Sequence, residues 1–129
     1  MHKVFLSYAS EDRRIVDEVA KNLASENLQV FSDRRDIAAG ERWLSQIEKA
    51  LADSDTIVTF ISPAYLKSEW AQYELGYGVS RVRHGEGVKI IPVIIHNTEL
   101  PRPLSNLQTI NASNMTAAQI AEKINQGIG

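Results

Sequence analysis

Thr56-Ile57-Val58-Thr59-Phe60-Ile61 is a nearly unbroken apolar and β-branched run, closed by Ser62-Pro63. A strand with one wet face alternates polar and apolar residues, whereas a parallel strand covered on both faces reads as continuous apolar sequence. This segment therefore places a buried parallel strand near the middle of the chain, with helices on both sides of its sheet. Upstream, Trp43, Leu44, Ile47 and Leu51 recur at helical spacing. Downstream, Ser68 is a candidate N-cap for a helix carrying Trp70, Tyr73, Glu74 and Tyr77. Gly76 and Gly78 cost that helix about 1 kcal/mol each relative to alanine, so close packing or an early end is expected there.

Further outward the alternation repeats. Val4-Phe5-Leu6-Ser7-Tyr8 reads as a first strand, followed by Ser10 as a cap and Ile15, Val16, Val19, Ala20 and Leu23 as a helical stripe to about Ser25. Leu28-Gln29-Val30-Phe31 is a second strand, and residues 32–40 form a polar, charged loop without periodicity. Residues 89–95 give a fourth strand, although Pro92 would ordinarily demote it towards an edge. Leu107-Gln108-Thr109-Ile110 is a weaker fifth strand. Thr116 then caps a helix bearing Ile120, Ile124 and Ile128. This order predicts an α/β fold with an open, parallel five-stranded sheet and helices on both faces.

At 129 residues the chain holds one domain with one core. A net charge of -2 gives no electrostatic basis for binding nucleic acid. No apolar run approaches the roughly 18 residues of a membrane span, and the start leads directly into a strand rather than a signal peptide. A cytoplasmic location follows as the expectation. The absence of cysteine removes disulfides, thiol catalysis and cysteine-based zinc sites, and His2, His84 and His96 lack ligand spacing. No metal and no cofactor are expected. The end at Gln126-Gly127-Ile128-Gly129 reads as a cut after a helix, so the domain is expected to be the N-terminal part of a longer protein.

Trp70 and Glu74 stand at i and i+4, one above the other on a helix that follows the apolar strand. Ligands of open parallel sheets bind at the strand ends, and a carboxylate beside a flat ring suits a nucleotide or a sugar developing positive charge. The same spacing also fits a core tryptophan beside a solvated glutamate. Competing site types fail on their own terms. A phosphoryl receiver needs an aspartate at the end of the third strand, where this chain has Phe60-Ile61-Ser62-Pro63. A dinucleotide fingerprint belongs between the first strand and its helix, where this chain has Ser7-Tyr8-Ala9-Ser10. No serine sits in a nucleophile elbow.

Taken in order, these segments resemble the Toll/interleukin-1 receptor (TIR) domain family in its bacterial form. Val4-Phe5-Leu6-Ser7-Tyr8 is similar to the family's first box. Asp33-Arg34-Arg35-Asp36-Ile37-Ala38-Ala39-Gly40 resembles its loop after the second strand, with Ala39 where proline is common. Gly40-x-x-Trp43-x-x-x-Ile47 resembles the bacterial entry to the next helix, and Ile90-Ile91-Pro92-Val93 the fourth strand, with its proline. Ile61-Ser62-Pro63-Ala64-Tyr65-Leu66-x-Ser68-x-Trp70-x-x-x-Glu74-Leu75 is the most specific stretch. The fold implied is flavodoxin-like.

The resemblance implies an NAD+ glycohydrolase that cleaves the nicotinamide–ribose bond to give ADP-ribose or a cyclic isomer. In a bacterial setting it implies an antiphage-defence effector activated by assembly. Glu74 would be the catalytic carboxylate. Ser7, Tyr8, Asp33, Gly40, Trp43 and Trp70 would bind NAD+, and the loop 33–40 would take part in self-association through TIR–TIR contacts. Ala9 and Ser10 replace the arginines that flank the first box in some family enzymes, which leaves Arg34, Arg35 and Arg42 as alternatives for the diphosphate. The rival reading is a non-catalytic TIR–TIR adaptor. Nucleoside deoxyribosyl transfer, on a related fold, fits the motifs less well.

Overall fold

A computed structural model of the chain describes residues 2–23, 28–32 and 43–128. Its five strands are β1 (His2–Ser7), β2 (Leu28–Phe31), β3 (Thr56–Ile61), β4 (Lys89–Ile94) and β5 (Ile110–Asn111). All pair in parallel, in the order β2-β1-β3-β4-β5. The helices are α1 (Arg13–Leu23), α2 (Trp43–Asp53), α3 (Pro63–Lys67), α4 (Glu69–Arg83) and α5 (Ala117–Ile128). This is the flavodoxin-like strand order, in which the chain reverses direction across the sheet between β1 and β3, the point at whose carboxyl ends open sheets of this kind bind ligands.

Every residue of β3 is buried, as its apolar run requires. Side chains alternate between two faces. Val58 and Phe60 join Leu6, Val93, Val16 and Ile124 in one apolar cluster, beneath α1 and α5. Ile57 and Ile61 join Phe5, Ile47, Tyr65 and Leu75 in the other, beneath α2, α3 and α4. Each such aliphatic or aromatic side chain contributes about 1.5–3 kcal/mol on burial, which is why the central strands form a rigid platform.

Local sequence explains the exceptions to the expected boundaries. Ser10 does not cap α1: residues Ser10–Asp12 make a 3-10 turn after Ala9, Asp12 N–H donates to Ala9 O, and the Ser10 hydroxyl donates to Glu11. Residues 63–67, to which the sequence reading assigned no element, form the short helix α3, with Ser62 as N-cap and Pro63 in its first turn. That proline supplies a preset φ where no N–H is needed. Pro92 sits inside β4, not at an edge. Ile95 N–H donates to Ile61 O and Ala112 N–H to Ile94 O, so by alternation Pro92 faces β5. Pairing with β5 begins only at Val93, and no ladder bond is lost. β5 itself is shorter and later than expected, because Leu107 packs against the core instead of extending the strand.

Gly78 marks close packing rather than a helix end. A Cβ there would lie 2.9 Å from Ile57 Cδ1, so glycine lets α4 settle onto β3. The helix ends later at His84, followed by Gly85 and Gly87 in the left-handed region at φ +67° and +76°.

Candidate active site

Ser7 is the last residue of β1, and Ser62 follows β3, so both stand at the carboxyl edge where the strand order reverses. Above them Ser68 ends α3 and caps α4, its hydroxyl accepting from Ala71 N–H. This tight corner turns the first two turns of α4 over the ends of β1 and β3, and brings Glu74 down onto Ser7.

The Ser7 hydroxyl donates to Glu74 Oε1 at 2.9 Å and lies 3.0 Å from the Tyr65 hydroxyl. A serine hydroxyl has one proton, and here it goes to the carboxylate, so Tyr65 is the donor to Ser7. The chain runs Tyr65 → Ser7 → Glu74, with each member polarising the next. All three are buried, with Glu74 only 4% exposed. Burial drives the Tyr65 phenol well above its ordinary value. The Ser7 contact opposes that shift and the nearby Glu74 charge reinforces it. Tyr65 therefore stays a neutral donor. The arrangement presents one oriented carboxylate, held by charge-assisted hydrogen bonding in a water-poor setting, which suits a developing cation.

Trp70 lies one turn before Glu74, half-buried and packed against the apolar cluster under α4. Its ring stacks on Tyr73 at 5.1 Å between centroids and 20° between planes. The Tyr73 hydroxyl in turn donates to Glu48 of α2 at 2.7 Å, and that contact raises the phenol's pKa, with burial and the Glu48 charge acting the same way. Trp70 is thus part core and part exposed platform, combining the two alternatives that its spacing left open.

Glu74 and Ser7 come together at this corner, with Trp70 one helical turn before Glu74. Tyr8 does not join them: the strand's alternation turns it to the opposite sheet face, in the apolar cluster of α1 and α5. Asp33 and Gly40 lie outside the described residues, as do Arg34, Arg35, Arg42 and the side chain of Trp43, whose backbone opens α2. Tyr65 is the site residue that sequence reading missed. The signal was Ser62-Pro63, a cap-plus-proline helix start that places residue 65 one turn in, facing the strand ends. Among the described residues, no group of three or more histidine, aspartate or glutamate side chains is placed to hold a metal ion.

Residues 4–126 match the TIR domain family, and the chain belongs to it. Among its relatives is an NAD(+) hydrolase, TirS, of Staphylococcus aureus (strain MSSA476), 29% identical over 133 residues, covering 98% of this chain and 48% of that protein. A 2' cyclic ADP-D-ribose synthase, BtTIR, of Bacteroides thetaiotaomicron is 32% identical over 90 residues, covering 69% of this chain and 31% of that protein. The chain thus spans half or less of the length of these relatives. The fold superimposes on the TIR domains of the activated Roq1 resistosome with a TM-score of 0.78, at 18% identity and full coverage of both chains. No helix among the described residues is long and apolar enough to cross a membrane.

Proposed function

We propose that this domain cleaves NAD+ at the nicotinamide–ribose bond, releasing nicotinamide and either ADP-ribose or a cyclic isomer. The observation that carries the reading is the Tyr65–Ser7–Glu74 chain, which aims a single buried carboxylate at the sheet's reversal point. Relatives that act as NAD(+) hydrolase and cyclic ADP-ribose synthase support it.

Ordinary glycoside hydrolysis needs an acid for the leaving group as well as a second carboxylate. Nicotinamide leaves NAD+ as a neutral base, so the acid is dispensable. What remains is a ribosyl oxocarbenium ion, and the charge on Glu74 stabilises it where water screens little. Ser7 fixes the carboxylate's rotamer, and Trp70 offers stacking area one turn away. Water, or a nucleophile within the same molecule, then captures the cation to give the linear or cyclic product. NAD+ is the substrate, and no metal or other cofactor enters the scheme.

In this reading the domain is an effector that works in an assembled state, with the loop 33–40 contributing to self-association, and antiphage defence is its setting. An adaptor function would need no buried carboxylate held by a serine hydroxyl that a tyrosine hydroxyl supports in turn, which favours the enzyme. Purified protein incubated with NAD+ should release nicotinamide, followed by chromatography. No release at high protein concentration would refute the proposal.

A further inference from the structure

Asp12 is 7% exposed, yet the chemistry proposed above gives it no part. Its Oδ2 accepts from the Ser62 hydroxyl at 2.5 Å. The same Ser62 oxygen accepts from Tyr65 N–H at 3.0 Å, closing the first turn of α3. Tyr65 then reaches Ser7, and Ser7 reaches Glu74. Five buried polar residues from β1, the turn before α1, the end of β3, α3 and α4 thus form one continuous line. At its outer end His96 Nε2 lies 3.6 Å from Asp12 Oδ1. His96 adopts φ 57°, a left-handed backbone unusual for a non-glycine residue. That turn is pinned by Asn97 N–H on Ser113 and by the Thr98 hydroxyl on Ile95 O, which fixes the backbone from which the exposed ring approaches the carboxylate.

We infer that Asp12 is a positioning residue for Glu74, acting through Ser62 and Tyr65. The reasoning is geometric. Helix α3 has five residues, too few to be stable on propensity alone, so its orientation depends on its cap. The Ser62 hydroxyl has one proton to give and gives it to Asp12, which fixes the oxygen's lone pair towards Tyr65 N–H. Without Asp12 the hydroxyl rotates, the cap loosens, and the Tyr65 side chain loses the registry that holds Ser7 and, through it, the carboxylate. In the proposed chemistry Asp12, Ser62 and Tyr65 lie behind Ser7 and Glu74, and none of the three is given a contact with NAD+. The effect of losing Asp12 should therefore fall on the chemical step and leave binding unchanged.

The inference rests on the proposed NAD+ cleavage for its kinetic arm only, and a second arm reads the carboxylate directly. Asp12→Ala should lower kcat about tenfold, the scale of one lost hydrogen bond to a charged group, with KM within about twofold of wild type. Asp12→Asn keeps an oxygen that accepts from Ser62 and should recover most of that loss. Because one path is involved, Asp12→Ala combined with Tyr65→Phe should be no slower than the worse single variant, instead of multiplying both losses. If Asp12→Ala does not fold, Ser62→Ala takes its place in the same cycle. The Glu74 carboxyl 13C resonance, assigned by its disappearance in Glu74→Gln, should move in Asp12→Ala and stay in Asp12→Asn. A moved resonance in a protein that never releases nicotinamide would sustain the positioning role and refute the NAD+ reading. An unmoved resonance, or multiplicative losses in the double variant, would overturn the positioning role even in a fully active enzyme.

Discussion

At the scale of single residues, the proposed chemistry turns on what one negative charge does and what keeps it in place. Glu74→Gln preserves volume and still accepts from Ser7 Oγ, now at 2.9 Å from Glu74 Oε1, but removes the charge. Nicotinamide release should fall about 100- to 1000-fold, the usual loss for one preorganised electrostatic contact, while circular dichroism and the melting temperature stay near wild type. A well-folded variant within threefold of wild-type activity would remove Glu74 from the mechanism. Tyr65 makes a separate prediction about pH. Its phenol is held above the ordinary 10.0 chiefly by burial. Below that value it is neutral in both folded and unfolded chains and its contribution is intact. As pH rises past it, only the unfolded chain ionises, so stability is lost up to the folded-state value. Tyr65→Phe should therefore cost about 1 kcal/mol near neutrality, and this cost should shrink with rising alkalinity. Melting curves of both proteins between about pH 8 and 11 test this, and parallel curves would contradict it.

At the scale of elements, α4 carries the site, and its seat on β3 depends on Gly78. Alanine at Gly76 meets nothing within 4 Å, whereas at Gly78 its Cβ would press on Ile57 Cδ1 at 2.9 Å, against a side chain with no exposure. Gly76→Ala should stabilise by about 0.5–1 kcal/mol through helix propensity. At Gly78 the same gain meets an overpacking cost of about 1–3 kcal/mol, so its melting temperature should fall to wild type or below. Equal rises in both would mean that the contact does not set the helix's position. The elements also separate what the sequence disclosed from what it hid. β2 and β3 end where their apolar runs end, at Leu28–Phe31 and Thr56–Ile61, because such runs are a local signal. Ser68 capping α4 and Thr116 capping α5, with Gln119 returning the bond to Thr116 N–H, were equally local. The hydrogen bonds that make the site were not: Ser7 and Glu74 are 67 residues apart, and Ser7 and Tyr65 are 58. Spacing along the chain says nothing about such pairs. Tyr8 parts from Ser7 for the opposite reason. It is adjacent to Ser7, and adjacency in a strand sends neighbours to opposite faces.

For the whole molecule, the consequence of this architecture is that the carboxylate is well placed and poorly accessible. Glu74 keeps 4% exposure because β1, α3 and α4 all close on it. Burial strengthens its action on a cation, yet a dinucleotide must still bring its ribose within contact. If the assembled state of the proposed function is what admits the substrate, a neighbour's loop 33–40 would complete the binding surface. Mass action then gives a measurable signature: a state present only in the assembly is populated as protein concentration rises. Nicotinamide release per molecule should climb steeply with concentration, and a crowding surface should shift the climb to lower concentration. Gly40→Pro, in the loop, should abolish the climb, with circular dichroism as the check that the fold is retained; the described residues alone already supply two apolar clusters. Glu74→Gln should remain inactive at every concentration, which separates a failed site from a failed assembly. Mixing the two variants sharpens the test. If a neighbour's loop completes each site, a Gly40→Pro subunit retains Glu74 and a Glu74→Gln subunit retains the loop, so the mixture should regain activity that neither has alone. Specific activity flat with concentration, with Gly40→Pro fully active and no complementation, would mean that each subunit opens its own site and the monomer is the enzyme.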